Sequence, residues 1–424
     1  MPALTKILGA APRYAALLRS QYWEPERRRV HIQTELAKIL KAAARIPFYA
    51  DRFNGAADLR SFARLPTLKR TDVSRLNASV RSLYSAGTRF LADSSSGSIG
   101  LPAEFLFDSA HQRGRYAARA RYLCSYAWNP LARTIWHFTP TRGGEEPDAD
   151  FARSRVFCNV RFMSVSADLA AQVSRVVDFD PLYISMYPSN LEGLLSVLEE
   201  TGQKLPSLRR IFAGSEVLDD TLRDRTRQLL GVEIADHYGS TEAFLAWQCP
   251  KGGFHVNAEH VLIEILDDLA RPVRPGKMGR VVVTTLENEL MPLVRYEIGD
   301  YAFAAEGICR CGRTLPLIGP IAGRAVNLFL LKDGRLASPW ALIRLMKLRP
   351  EIRQFQILQR STDHYVLRYA SSQPISDQTE SWVRSKFQET LGIDLTFRLE
   401  RVAEIGRSPT GKFMPALSEV GCHE

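Results

Sequence analysis

The stretch Val232–Ala243, "VEIADHYGSTEA", decides the fold. Its apolar first half reads as a strand, its glycine as a turn, and "STEA" as a helix start. The segments before it repeat that alternation. "DDTLRDRTRQLLG" is helical and is stopped by Gly231, and "LRRIFAGSE" is a strand running into a turn. "SNLEGLLSVLEETG" is a helix with a serine start and a glycine stop, and "PLYISMYP" and "TIWHFTP" are short apolar strands bounded by proline. Strands alternating with helices from about residue 130 to 245 predict a parallel α/β sheet. In such sheets a ligand sits beyond the carboxyl ends of the strands, where "HYGSTEA" falls. There Tyr238 offers a flat ring to a base, Thr241 a hydroxyl to phosphate, and Glu242 a carboxylate to Mg²⁺.

The pattern changes downstream. "VLIEILDDLARPVRPGKMGRVVVTTLEN" carries β-rich runs between Pro and Gly turns, which predicts antiparallel sheet. After about Asn327 a smaller α+β unit follows. It comprises a strand, an Asp-Gly turn and a helix in "LFLLKDGRLASPWALIRLMKLRP", two alternating strands in "QFQILQRSTDHYVLRYA", a helix in "DQTESWVRSKFQETLG" and a last strand in "DLTFRLERV". The expected plan is a large α/β domain over residues 1–325, with parallel layers and an antiparallel subdomain, and a small mobile α+β domain over 326–424. Upstream, "HIQTELAKILKAAA" has helical spacing, and "LYSAGTRFLADSSSGSIGLPAEFLF" reads as strand, loop, strand before a helix over Ser109–Leu123. "MPALTKILGAAPRYAALLRSQYW" is broken by Pro12 and Arg13 and reads as an exposed basic amphipathic segment.

Bulk properties narrow the function. A chain of 424 residues with 45% hydrophobic content can bury a large core without disulfide staples. No apolar run is long enough to span a bilayer, so a cytoplasmic protein without membrane association is expected. The net charge of +10 is spread along the chain, and the Arg27-Arg28-Arg29 cluster comes with no nucleic-acid-binding motif. Diffuse positive charge suits an anionic, nucleotide-like ligand better than nucleic acid.

Further motifs carry the chemistry. In "SSSGSIGLP" (Ser94–Pro102), Gly97 and Gly100 let backbone N–H groups approach an anion, while Ser95, Ser96 and Ser98 offer hydroxyls. It is not a P-loop, since no Gly-Lys-Ser/Thr follows. "AGSE" places Gly214, Ser215 and Glu216 after a strand, and Gly239 follows Tyr238. "RYEIGD" ends in Asp300, suited to paired ribose hydroxyls. "GR" at Gly323–Arg324 precedes the change of domain, and "SPTGKF" sets Lys412 in a small-residue loop. Each has a plainer reading: Asp300 as a turn cap, Glu242 as a helix N-terminal carboxylate, Tyr238 as a core aromatic, Lys412 as a surface lysine.

In this order the motifs resemble the adenylate-forming superfamily of acyl-CoA synthetases, adenylation domains and luciferases. "ARIPFYADRF", "LPTLKRTDV" and "CRCGRTLP" are similar to the phenylacetate-CoA ligase branch and its capsular-polysaccharide-type relatives. The resemblance covers most of the chain. It implies that a carboxylate attacks the α-phosphate of ATP, giving an acyl-adenylate and pyrophosphate, and that a nucleophile then displaces AMP. That nucleophile is often the thiol of coenzyme A; an amine, a hydroxyl or a carrier-protein thiol are the alternatives. By the resemblance, Lys412 bridges the substrate carboxylate and the α-phosphate, Glu242 holds Mg²⁺, and Thr241 with the Ser95–Gly100 loop holds phosphates. Tyr238 stacks on adenine lined by Gly214–Glu216, Asp300 and Arg324 contact the ribose, and the small domain swings between steps. The chain departs from the pattern at Ile99 and Leu101, where the loop usually has threonine and lysine, and at Ala325, Val326 and Asn327, where acidic residues usually follow "GR". Those departures leave a catalytically degenerate nucleotide-binding protein as a further reading.

Cys249 and His255 of "CPKGGFH" with Cys309 and Cys311 of "CRCG" form a plausible closed tetrahedral, structural Zn²⁺ site. Trp136, His137, Phe138 and Arg142 of "WHFTPTRGG" are candidates for the acid pocket, with core packing an equal reading of the two aromatics.

Overall fold

A computed structural model describes residues 2–53, 58–85, 87–95, 103–138, 151–153, 159–165, 168–324, 327–347, 349, 351–352, 354–371, 373–391, 395–406 and 413–420. The central sheet has eight strands, ordered Phe254–Val256, Phe244–Gln248, Glu233–Gly239, Arg210–Ala213, Tyr183–Met186, Thr134–Phe138, Val160–Ser164 and Phe151–Arg153. The inner strands are parallel and the outer ones antiparallel. Helices Leu169–Phe179, Pro188–Thr201 and Asp220–Leu230 pack one face through Val176, Leu191, Leu195 and Leu222 against Ile135, Ile184 and Ile211. Helices Pro2–Ser20 and Ser109–Cys124 cover the other face, with Leu17, Ala118 and Tyr122 against Phe212, Ala235 and Trp247. Burial on both faces explains why the inner strands are nearly continuous apolar runs.

Three local expectations are corrected. "STEA" does not start a helix: Ser240–Ala243 is a turn, and Phe244–Gln248 returns as an antiparallel strand. The ladder wins because Phe244, Leu245, Ala246 and Trp247 are all buried. The N-terminal segment is helical through Pro12 and docks on Ser109–Cys124, burying Ala10 and Leu17. Helix Pro188–Thr201 starts on Pro188, whose fixed φ suits the first turn, rather than on the serine.

A four-stranded antiparallel sheet follows: Val261–Leu266, Met278–Thr285, Tyr296–Ala304 and Ile318–Arg324. Its register sets Asp300 directly across from Arg324. Leu91–Ser94 pairs antiparallel with Glu104–Phe107. Residues 329–416 build a separate core from Phe329, Ile343, Ile357, Leu367, Phe387 and Ala416. Helices Trp340–Lys347 and Asp377–Leu391 pack there on the strands Thr396–Val402, His364–Ala370, Gln354–Gln359 and Ala416–Ser418. The 325/326 boundary lies outside the described residues. Among the described residues no helix is long and apolar enough to cross a membrane.

One buried ion pair ties the docked N-terminal helix to the sheet. Arg121 donates to Glu259 at 2.9 Å with the two side chains 1% and 3% exposed, and Ser20 also donates to Glu259. Burial alone would raise the Glu259 carboxyl, but Arg121 and Ser20 hold it below the ordinary glutamate range. Its stabilisation is therefore present above the unfolded value of ~4.3 and is lost as pH falls through the lower folded value. Arg121→Met is expected to cost roughly 3–5 kcal/mol in urea unfolding at pH 7, because it strands a buried carboxylate. The deficit relative to wild type should shrink as the pH falls through that range.

Candidate functional site

The carboxyl ends of the parallel strands open into a cleft of about 2250 Å³ between the large sheet, the antiparallel sheet and the C-terminal unit. Ser95, Ser215, Glu216, Tyr238, Gly239, Thr241, Glu242, Asp300 and Arg324 all line it. Tyr238 Oη donates to Asp300 Oδ2 at 2.6 Å, and Arg324 Nε lies 3.4 Å from Asp300 Oδ1. Three expected nucleotide contacts, far apart in sequence, thus form one cluster. The Tyr238 hydroxyl is pushed up by burial and by Asp300, so it stays a donor at neutral pH.

Glu242 is 3% exposed. Burial raises its carboxyl above the ordinary glutamate value, against the pull of a Ser240 hydrogen bond and of the Arg324 and Arg70 charges. A buried carboxylate facing a cleft, with cations near but no ion pair to it among the described residues, has the chemistry to hold a divalent cation. Glu216 is already engaged: its carboxylate accepts from Ser189 N at 2.9 Å and Ser189 Oγ at 3.0 Å, at the first turn of Pro188–Thr201. Gly214 is set behind the wall. A Cβ there would lie 2.2 Å from His237 Cε1, so glycine makes room for the His237 ring, which stacks on Phe244. Ser215 next to it adopts φ +68°, a left-handed conformation of the kind that gathers at ligand sites.

Ser96, Gly97, Ser98, Gly100 and Lys412 lie outside the described residues, as do Ile99, Leu101, Ala325, Val326 and Arg142. Phe413, Met414 and Pro415, directly after Lys412, line the cleft, as does Asn327. Trp136 packs with Phe212 and Trp128 against the core, and His137 is half-buried, with both ring nitrogens buried and the ring held neutral; neither lines the cleft. For Phe138 only its place in the strand Thr134–Phe138 is described.

Two contributors escaped the sequence reading. Arg70 donates to Ser95 Oγ at 2.7 Å, placing a cation at the base of the serine-glycine loop. It stood in "LPTLKRTDV" without a motif to mark it. His111 lies between Phe107 and His260, and burial lowers its pKa to about 3, so the ring is neutral. Its Nε2–H donates to the Glu242 carbonyl at 2.8 Å and fixes the turn that carries Glu242. His111→Phe leaves that carbonyl unpaired and is expected to cost about 1–3 kcal/mol. Urea unfolding reads the loss.

The metal candidates also meet. The ligand atoms of Cys249, His255, Cys309 and Cys311 all lie within 4.8 Å of one another. Cys249 Sγ and Cys309 Sγ are 3.6 Å apart, and Cys311 Sγ is 3.3 Å from His255 Nε2. Tetrahedral Zn²⁺ with bonds of ~2.0–2.3 Å requires edges of roughly 3.3–3.8 Å, so these residues fit the ion. A Cβ on Gly253 would lie 2.4 Å from Cys309 Sγ, which is why glycine closes this turn.

No family model matches the chain. It is 28% identical over 276 residues to the phenylacetate-coenzyme A ligase of Thermus thermophilus, covering 58% of this chain and 62% of the relative. It is 32% identical over 193 residues to that of Pseudomonas putida, covering 43% of each. The chain thus spans less than two thirds of these relatives' lengths. A solved 2-hydroxyisobutyryl-CoA ligase in the postadenylation state, in complex with 2-HIB-AMP, superposes with a TM-score of 0.74 at 19% identity, covering 95% of this chain and 93% of that one. An anthranilate CoA ligase in complex with anthranoyl-AMP gives 0.59 at 17% identity, covering 76% and 64%. The architecture is therefore that of the adenylate-forming ligases. In sequence the chain is similar to these phenylacetate-coenzyme A ligases.

Proposed function

We propose that the protein is an ATP-dependent, AMP-forming acid–CoA ligase: it joins a carboxylic acid to AMP with release of pyrophosphate, then passes the acyl group to coenzyme A. The observation that carries this reading is the Tyr238–Asp300–Arg324 cluster beside buried Glu242, at the carboxyl edge of the sheet in this fold. Tyr238 stacks on adenine, and Asp300 accepts from the ribose hydroxyls while Arg324 orients it. Thr241 and the Ser95–Gly100 loop donate to phosphate oxygens, and Arg70 adds a positive charge at a loop that lacks lysine at Leu101. Glu242 would hold Mg²⁺, which neutralises polyphosphate charge when bound. Lys412 supplies a cation where charge builds at the α-phosphate. Relatives that carry coenzyme A ligase in their names, and neighbours solved with acyl-AMP, support the acid and nucleotide.

Residues 326–424 act as a mobile domain in this reading. Its own hydrophobic core supports this. So does the likeness to one ligase in two states: the TM-score is 0.74 for the postadenylation state and 0.61 for the thioesterification state, each over 95% of this chain. Lys347 bridges the units, 2.7 Å from Asp219 and 2.8 Å from Glu192. The Cys249–His255–Cys309–Cys311 cluster would hold a structural zinc, since four protein ligands leave no open position. Mass spectrometry of products, with and without coenzyme A, tests the acceptor: an acyl-CoA with stoichiometric AMP supports the ligase, while AMP release that ignores coenzyme A refutes it.

A further inference from the structure

Resting on the acid-activation reading, we propose that the acid bound in this cleft carries a second anionic group, held by Arg115 and Arg119. These arginines stand one turn apart on the helix Ser109–Cys124, so they share a face, and both line the cleft. Aromatic rings fix their direction. The Arg115 guanidinium lies 5.3 Å over Phe107, and that of Arg119 lies 4.9 Å over Trp136, which itself stacks on Phe212.

What sets the pair apart is the lack of a counter-charge. Among the described residues, the other cations lining the cleft have polar or acidic partners. Arg223 meets Asp236 at 3.1 Å, Arg225 meets Glu199 at 2.5 Å, Arg324 meets Asp300 at 3.4 Å, Lys347 meets Asp219 at 2.7 Å, and Arg70 donates to the Ser95 hydroxyl. Arg349 lies 4.0 Å from Glu351. Arg115 and Arg119 have no hydrogen bond or ion pair among the described residues. Burial lowers both guanidinium pKa values, with only weak relief from more distant carboxylates such as Asp93 and Glu242 at Arg115. By accessibility Arg115 is half-buried and Arg119 exposed, so both guanidinium groups are open to a ligand in the cleft.

The two like guanidinium charges, one helical turn apart, repel each other, and an anion in the cleft relieves that repulsion. Their planar donor geometry matches a carboxylate, sulfonate or phosphate. The nucleotide cluster does not answer Arg119. It gathers at Tyr238, Asp300 and Arg324, whereas Arg119 stands over Trp136 and acts electrostatically on His237, the ring that fills the space at Gly214. Phenylacetate, the acid in the relatives' names, has one carboxylate, and the adenylation step consumes it. A substrate with a second anion leaves one group for the pair and one for reaction.

The test uses the full chain with matched acids: benzoate and isophthalate, phenylacetate and 4-carboxyphenylacetate, butyrate and glutarate. Binding is read by calorimetry with AMP present, and turnover by pyrophosphate release with ATP and Mg²⁺. At least one diacid should bind about ten-fold or more tighter than its single-acid counterpart, a difference of ~1.4 kcal/mol or more. That preference should vanish in Arg119→Gln and weaken in Arg115→Gln, with AMP affinity unchanged. Arg119→Lys, which keeps the charge but not the fork, should give an intermediate preference and guards against misfolding of the Gln variants. Equal or absent binding of both members in every pair overturns the proposal. So does a preference that survives in both Gln variants, or variants that lose only AMP affinity. Diacid preference without pyrophosphate release instead overturns the acid-activation reading and leaves the anion site standing.

Discussion

Glu242→Gln is expected to lower kcat/KM for pyrophosphate release by about 10²–10³-fold, the range seen when one preorganised electrostatic group is removed from a reacting site. The substitution keeps the shape and removes the charge. With the proposed Mg²⁺ ligand weakened, the residual rate should saturate only at higher Mg²⁺. Stability should move the other way. Burial raises the folded-state pKa of Glu242, so its favourable contribution is complete below the ordinary glutamate pKa and is lost as pH rises through the folded value. Glutamine removes that neutral-pH penalty, so Tm at pH 7–8 should hold or rise. Loss of rate with loss of stability would mark Glu242 as a structural carboxylate instead.

Removing metal from the Cys249–His255–Cys309–Cys311 cluster is expected to have the largest effect on stability. The cluster joins the strand end at Cys249 to the Cys309–Gly312 turn, and His255 bridges to Leu317. Burial pushes the Cys249 thiol up to about 12, so an ion-free cluster holds a protonated thiol whose proton a bound metal would displace. Chelation at neutral pH should cost several kcal/mol, which lowers Tm by roughly 10 °C at ~2–4 °C per kcal/mol. Cys309→Ser should show the same loss, with no further effect of chelator. Elemental analysis should find about one zinc per wild-type chain and none in the variant. A metal-free chain with the same Tm in chelator would contradict the assignment.

How much of this was legible in the sequence depended on whether the signal was local. The parallel sheet was legible because each strand and helix carries its own period and stop, as at Gly231. The grouping of Cys249, His255, Cys309 and Cys311 was legible because thiols and imidazole declare their chemistry by type. The turn Ser240–Ala243 misled because its serine, threonine and glutamate also make a good helix start, and only the ladder from Phe244 overrules them. The N-terminal helix misled because its apolar stripe is answered by Ala117, Ala118 and Tyr122, about a hundred residues away. Arg115, Arg119 and Arg121 look alike in one basic helix. Their rotation about its axis sends Arg121 to Glu259 and leaves the other two facing the cleft. The Tyr238–Asp300 bond likewise depends on the packing of two sheets, although both residues stood in recognisable motifs.

The measurement that tests the central claim most directly is acid-dependent pyrophosphate release from ATP and Mg²⁺ across aryl, aliphatic and dicarboxylic acids, with wild type beside Lys412→Ala. The account predicts release that requires an acid and falls by orders of magnitude in the variant. ATP binding with no acid-dependent release from any acid, or release that Lys412→Ala leaves intact, would contradict it.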